Sequence, residues 1–242
     1  MHEIQRAIIM AAGLGKRMQP VTLRTPKPLV KVNGVRMIDT VIRALHENGI
    51  YEIYIVIGYK KEKFEELLSE YEGITLLENP YYATCNNISS LYIARKYISN
   101  AIILDGDQII RNTNVLSRYF NKSGYNSVWT NEITQEWIQF VEDGVVKSCS
   151  RTGGKEGWQL YSISRWTEAD GKNLKRHLEI EFEEKKNYQL YWDDIPMFCY
   201  ADQYELEVYP MNKGDVFEVD SWEELVMLDA TYKKKQGDIC NE

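Results

Sequence analysis

Three groups of residues in this chain have the types and spacing to act on phosphates. The first is the run Ala7 to Leu29, AIIMAAGLGKRMQPVTLRTPKPL. It opens as a short apolar strand and turns at Gly13 and Gly15. It then presents Lys16 and Arg17 and stays extended past Pro20, Pro26 and Pro28, with Lys27 between the last two. Backbone N–H groups at such a turn can face an anion, glycine lets the anion come close, and a helix starting there adds its positive end. The second group is a pair of aspartates, Asp107 in Leu104-Asp105-Gly106-Asp107 and Asp220 at the end of Val216-Phe217-Glu218-Val219-Asp220. Each follows a predicted strand, and open α/β sheets put ligands beyond the carboxyl ends of their strands. Either aspartate alone could be a cap or a loop residue. Beside a triphosphate loop the two suit Mg²⁺, which takes one or two carboxylates plus phosphate oxygens and water. Asp105 reads as structural.

The third group lies in the second half, where aromatics stand next to acids: Glu136-Trp137, Tyr188, Tyr191-Trp192-Asp193-Asp194 and Glu218. Core packing is the plain explanation for these rings. A quaternary ammonium is the ligand that such a set would fit, since it has no N–H to donate and is held over ring faces near a carboxylate. A further stretch, Asn79 to Leu91, is rich in amides and hydroxyls just before a predicted helix. It reads either as capping and turn chemistry or as base recognition by Asn87 and Ser90.

Two familiar phosphate loops fail on this sequence. The G-x-x-x-x-G-K-[ST] pattern needs glycine where Met10 stands and Ser or Thr where Arg17 stands. The dinucleotide pattern G-x-G-x-x-G needs glycine at Met18. The run Met10-Ala11-Ala12-Gly13-Leu14-Gly15-Lys16-Arg17-Met18, followed by Pro20, Thr22 and Thr25-Pro26-Lys27-Pro28-Leu29, instead resembles the signature of the sugar-phosphate nucleotidylyltransferases and their small cytidylyltransferase relatives. The resemblance implies that the backbone around Ala11, Ala12, Gly13 and Gly15 holds a nucleoside triphosphate. It implies that Arg17 and Lys27 neutralise phosphates, that Asp107 and Asp220 bind Mg²⁺, and that Asn87 and Ser90 lie beside the nucleotide. Charge spreading over the α-phosphoryl oxygens and departing pyrophosphate is what fixed cations there would stabilise.

Over its whole length the chain resembles the bacterial CTP:phosphocholine cytidylyltransferases. The carrying runs are Asn86-Asn87, Glu136-Trp137, Leu190-Tyr191-Trp192-Asp193 and Glu218-Val219-Asp220-Ser221, while the loop Gly153-Gly154-Lys155 departs from the pattern. This resemblance implies CTP and phosphocholine as substrates, with Trp137, Tyr191, Trp192 and Glu218 around the cationic head group. It also implies direct in-line attack by an already ionised phosphate, so no general base is required. Relatives acting on 2-aminoethylphosphonate or phosphoethanolamine, a sugar-1-phosphate nucleotidylyltransferase and a non-catalytic nucleotide-binding regulator remain as alternatives.

The elements that must position these residues change character along the chain. Ile38, Val41, Ile42 and Leu45 follow helical spacing up to Asn48-Gly49, and Phe64, Leu67, Leu68 and Tyr71 do so again. Residues 52–57, 74–77 and 101–104 read as strands, and Ser89 to Tyr97 as a helix. Strands alternating with helices imply a mostly parallel sheet covered on both faces. After about Asn114 come strands at 127–130, 137–141, 145–149 and 159–163, the second and third joined by Glu142-Asp143-Gly144 as a hairpin. A charged helix over Asn173 to Glu184 follows, then strands at 206–209 and 216–219. Ser221-Trp222-Glu223-Glu224 opens a C-terminal helix with a capping box, and the polar tail from Lys233 frays. The fold class is therefore α/β, a Rossmann-like three-layer nucleotidyltransferase fold with a predominantly parallel mixed sheet and a small β-rich acceptor lobe. It reads as one domain, with residues 1–113 mainly for nucleotide, 114–220 mainly for acceptor and 221–242 a helix and tail.

Composition bounds the partners. The 242 residues are 44% hydrophobic and 27% charged, with a net charge of −7, which argues against nucleic acid as a partner. No run is long enough to insert in a membrane, and the start is too short for a secretory signal. Cys85, Cys149, Cys199 and Cys240 lack metal or disulfide spacing and read as reduced thiols of a cytoplasmic protein. The sequence sets no oligomeric state.

Overall fold

A computed structural model of the chain describes residues 1–233; Cys240 and the tail beyond Lys233 lie outside the described residues. The first half lays down β1 (Arg6–Ala11), α1 (Met37–Glu47), β2 (Glu52–Ile57), α2 (Glu66–Glu70), β3 (Ile74–Glu78), α3 (Ile88–Ala94) and β4 (Ala101–Asp105). β4, β1, β2 and β3 are parallel neighbours in that order. The side chains of β1 alternate between two cores, Ala7, Ile9 and Ala11 on one face and Ile8 and Met10 on the other. Each fully buried isoleucine contributes about 2 kcal/mol by leaving water, on both faces of the strand. α1 packs Ile38, Val41, Ile42 and Leu45 against the first face, and α3 packs Ile88, Leu91 and Ala94 against the second.

Local signals set several boundaries. α1 ends because Gly49 adopts φ 73°, letting its N–H reach the His46 carbonyl and that of Ile50 reach Leu45. The stop expected at Asn48-Gly49 is borne out.

The second half adds β5 (Gln108–Ile110), β6 (Gly124–Thr130), β7 (Ile138–Glu142), β8 (Val145–Ser150), β9 (Gly157–Trp166), α4 (Glu168–Glu179), β10 (Glu207–Met211), β11 (Val216–Glu218) and α5 (Trp222–Leu228). β9 joins the halves. Its last four residues pair antiparallel with β4, and its earlier part pairs with both β6 and β7. β6 runs parallel to β10, β10 meets β8 at Glu207 and Val145, and the β7–β8 hairpin completes a closed circuit of five strands. Asp143 and Gly144, with φ 51° and 77°, form the hairpin turn that the sequence indicates. Parallel pairing thus dominates the first half and antiparallel pairing the second.

Three local expectations change. The charged helix starts at Glu168 rather than Asn173, with Thr167 capping the N–H of Asp170 at 3.1 Å. Gly171 hides this in the sequence; it sits inside the helix because a Cβ there would meet the Ser99 backbone at 2.7 Å. β5, only three residues long and paired with β11, is too short to show a periodicity. After Gly15 there is no α-helix but a 3-10 turn over Lys16–Met18, so any anion site there relies on the loop backbone and the cations rather than on a long helix dipole. No helix among the described residues is long and apolar enough to cross a membrane.

Candidate active site

Two adjoining cavities open at the carboxyl ends of β1 and β4. The first, of about 320 Å³, is lined by Ala12, Gly13 and Leu14 on one side and by Tyr82, Asn87 and Ser90 on another. Gly15, at φ 61°, makes the turn, and a Cβ there would press on Thr22 at 2.9 Å. The Thr22 hydroxyl donates to the Gly15 carbonyl at 2.8 Å and locks the loop. Gly58 brings Tyr82 alongside, since a Cβ at 58 would lie 2.7 Å from that ring. Ser90 is buried, and its Oγ accepts a hydrogen bond from Asn79 at 3.0 Å. Ala11 is buried at the end of β1, behind the cavity rather than on its lining.

Lys27 lies where the two halves meet. Gly106 packs against Pro28, with a would-be Cβ 3.2 Å from the proline ring, and this closeness brings Asp107 to the lysine. The Lys27 ammonium bonds Asp107, and Asp220 Oδ1 at 2.6 Å. Arg17 reaches the same Asp220 oxygen at 3.1 Å from a largely exposed side chain. Burial disfavours the charge on Lys27, but the two carboxylates outweigh burial and hold its pKa above the ordinary lysine value. Burial would raise Asp220; Lys27 and Arg17 instead pull it below the usual carboxylate range. Asp220 is held by α5, where the Ser221 hydroxyl accepts from the Glu224 N–H while Glu224 accepts from the N–H groups of Asp220 and Ser221. The expected capping box therefore also fixes one wall of the site.

The second cavity, of about 250 Å³, collects six carboxylates (Asp105, Asp107, Glu136, Asp193, Glu218, Asp220) with Trp137 and Tyr191. The Trp137 and Tyr191 rings meet edge-to-face at 6.0 Å, and Tyr191 is 50% exposed. Glu218 accepts from Gln108 at 2.8 Å; burial, then the nearby Asp107 and Asp220, push its pKa up to about 7. Burial raises Asp105 well above the usual range too, reinforced by Asp107, Glu218 and Asp193. Asp193 is almost buried, its Oδ1 has no hydrogen-bond partner, and burial pushes its pKa up to about 7. Trp192 departs from expectation. Its ring is 3% exposed, stacked on Tyr125 at 6.0 Å and edge-on to Trp166, so it belongs to the core and not to the cavity wall.

A larger cavity of about 750 Å³ surrounds Arg36. Its buried cation is already paired with Asp39, Glu66 and Glu70, so it holds the α1–α2 region together.

The nucleotidyl transferase family model matches residues 6–135, more than half of the chain. The chain belongs to the nucleotidyl transferase family. Among its relatives, 2-aminoethylphosphonate cytidylyltransferase of Lancefieldella rimae is 34% identical, over 95% of this chain and 94% of that protein. Choline-phosphate cytidylyltransferase of Streptococcus pneumoniae is 32% identical over 95% of this chain and 99% of its own. The solved structure of CTP:phosphocholine cytidylyltransferase from Streptococcus pneumoniae superposes with a TM-score of 0.88 at 30% identity, covering 95% of this chain and 99% of that one. The expected fold class and family are borne out.

In this nucleotidyltransferase Tyr82, Glu136 and Asp193, to which the sequence assigned no site role of their own, line the two cavities. Glu136 and Asp193 carried a signal, since each adjoins an aromatic of the selected runs. Tyr82 carried none beyond its place in the amide-rich stretch; the missing side chain at Gly58, remote in sequence, is what admits its ring.

Proposed function

We propose that this nucleotidyltransferase transfers CMP from CTP to phosphocholine, giving CDP-choline and pyrophosphate. The observation that carries the acceptor is the pairing of the Trp137 and Tyr191 rings with Asp193, a buried carboxylate whose Oδ1 lacks a partner. A quaternary head group over the rings would set its positive charge beside that carboxylate without needing an N–H, each good ring contact being worth about 0.5–2 kcal/mol. The triphosphate would occupy the loop from Ala12 to Gly15, with Tyr82, Asn87 and Ser90 beside the base. A phosphocholine oxygen attacks the α-phosphorus; the new P–O bond forms as the bond to the bridging oxygen of pyrophosphate breaks. Phosphate is already ionised near neutral pH, so no group need remove a proton. Lys27 and Arg17 neutralise the phosphates, and their fixed positions lower the barrier by charge stabilisation and alignment.

Asp107 and Asp220 suit Mg²⁺, because both already face one cation, the Lys27 ammonium, and both offer hard oxygen donors. Mg²⁺ bound there would supply positive charge to the phosphate oxygens. Residues 1–113 serve mainly the nucleotide and 114–220 mainly the acceptor in this reading. It also places the enzyme in the cytoplasm, where thiols such as Cys85, Cys149 and Cys199 stay unpaired.

A second acceptor, 2-aminoethylphosphonate, is favoured by the six carboxylates, since a primary ammonium can donate N–H to them and a quaternary one cannot. Pyrophosphate release decides between them. CTP, UTP, ATP and GTP are each paired with phosphocholine, phosphoethanolamine, 2-aminoethylphosphonate and sugar 1-phosphates. The proposal expects the highest kcat/KM for CTP with phosphocholine; a higher value for any other pair overturns it.

A further inference from the structure

Asn87 occupies the N-cap position of α3, where asparagine ordinarily turns its side-chain oxygen back onto the helix. Here it makes no such bond. Its Oδ1 instead accepts from the Trp192 N–H at 2.8 Å, across 105 residues of chain. Its neighbours do the same. The Asn86 N–H donates to the Tyr188 carbonyl at 2.8 Å, and Gln189 Nε2 donates to the Thr84 carbonyl at 2.9 Å. The stretch beside the first cavity is thus stitched to the stretch that carries the acceptor ring and carboxylate.

The Trp192 N–H belongs to the peptide between Tyr191 and Trp192, one residue ahead of Asp193. The Trp192 ring is fixed in the core, so the Asn87 bond and the ring together set the direction of both flanking side chains. An N–H donor fixes the amide's orientation, so Oδ1 faces Trp192 and Nδ2 is turned away from it. No acceptor among the described residues takes the Nδ2 hydrogens, and Asn87 lines both cavities. We propose that Asn87 is a positioning residue through which nucleotide binding tightens the acceptor subsite. Nucleotide held by Nδ2 stills the carboxamide whose other end steadies Tyr191 and Asp193. The proposal rests on the phosphocholine reading for its probe.

The test is calorimetric titration of phosphocholine with and without a saturating non-reactive α,β-methylene analogue of CTP. The wild-type enzyme should bind phosphocholine about fivefold more tightly with the analogue, at the low end of ordinary site–site coupling. Asn87→Asp keeps an oxygen for the Trp192 N–H and removes the donor. Whatever the added carboxylate does to phosphocholine affinity by itself, the ratio should fall to about one. Asn87→Ala should weaken phosphocholine in both conditions. The ratio is the readout because an added carboxylate near phosphates weakens nucleotide binding by itself. A wild-type ratio of one, or a ratio kept in Asn87→Asp, overturns the coupling; a merely structural role shifts melting temperature and both affinities but keeps the ratio. If the wild type does not bind phosphocholine at all, the acceptor reading fails, and the same ratio is read with 2-aminoethylphosphonate.

Discussion

The two cavities share Asn87, Asp105, Asp107 and Tyr191, yet their walls differ in kind. The side proposed for the nucleotide is made of small residues and backbone, Ala12, Gly13 and Leu14, set by parallel strands buried on both faces. Two of its polar side chains, Ser89 and Ser90, have a partner in Asn79. The side proposed for the acceptor is made of rings from the antiparallel half and carboxylates from both halves, and several of those carboxylates are held at raised pKa by burial. One wall is complete as a shape; under the proposed function the other is completed by a positive charge that arrives with a substrate. Substitutions on the first should therefore strike turnover, and those on the second should strike acceptor affinity.

The largest break is expected at the seam. Lys27→Ala should lower kcat by about 10³-fold, the scale of losing one preorganised charge-stabilising group, with the circular dichroism spectrum unchanged. Near-normal pyrophosphate release would remove Lys27 from the chemistry. Asp107→Ala should cost about 10²-fold or more and flatten the dependence of rate on Mg²⁺; an unaltered Mg²⁺ titration would take Asp107 out of the ion's site. On the acceptor side Trp137→Ala should raise KM for phosphocholine about tenfold and leave KM for CTP within about twofold. Should CTP binding collapse instead, the indole is a structural member of both walls.

The smallest effect is on stability and has a sign. Burial lifts Asp193 from the usual carboxylate range to about 7, so protonation favours the folded state. That contribution is complete below about pH 4 and is lost as pH rises through about 7. Asn has no charge to bury, so Asp193→Asn should melt about 3 °C higher than wild type at pH 8 and with no difference near pH 3.5. The same variant should bind phosphocholine less tightly. An equal shift at both pH values would show that the Asp193 carboxyl is not held protonated by burial.

Much of this was readable from local chemistry. Gly49 after an amphipathic run, Ser221 three residues before Glu224, and Asp143-Gly144 between alternating strands each specify a backbone conformation by themselves. The loop from Gly13 to Lys27 was readable for the same reason. What failed depended on contacts far along the chain. Nothing in Tyr191-Trp192-Asp193 says which side chains enter a cavity; the ring of Trp192 turns to the core because Tyr125 and Trp166 offer it a surface there. Asp193 gains its raised pKa from burial beside residues distant in sequence, and α4 conceals its first turn behind a glycine required by the Ser99 backbone.

The circuit of five strands has a bearing on how copies of the chain could meet. Within the nine-stranded sheet β6 would be a border strand, but its pairing with both β9 and β10 leaves it no open side. The remaining border of that sheet is β3, at the opposite end from the acceptor half, where Glu78 is tied to Lys61 at 2.6 Å. A second molecule that joins this sheet at that border adds a strand along β3, and charged side chains there discourage it.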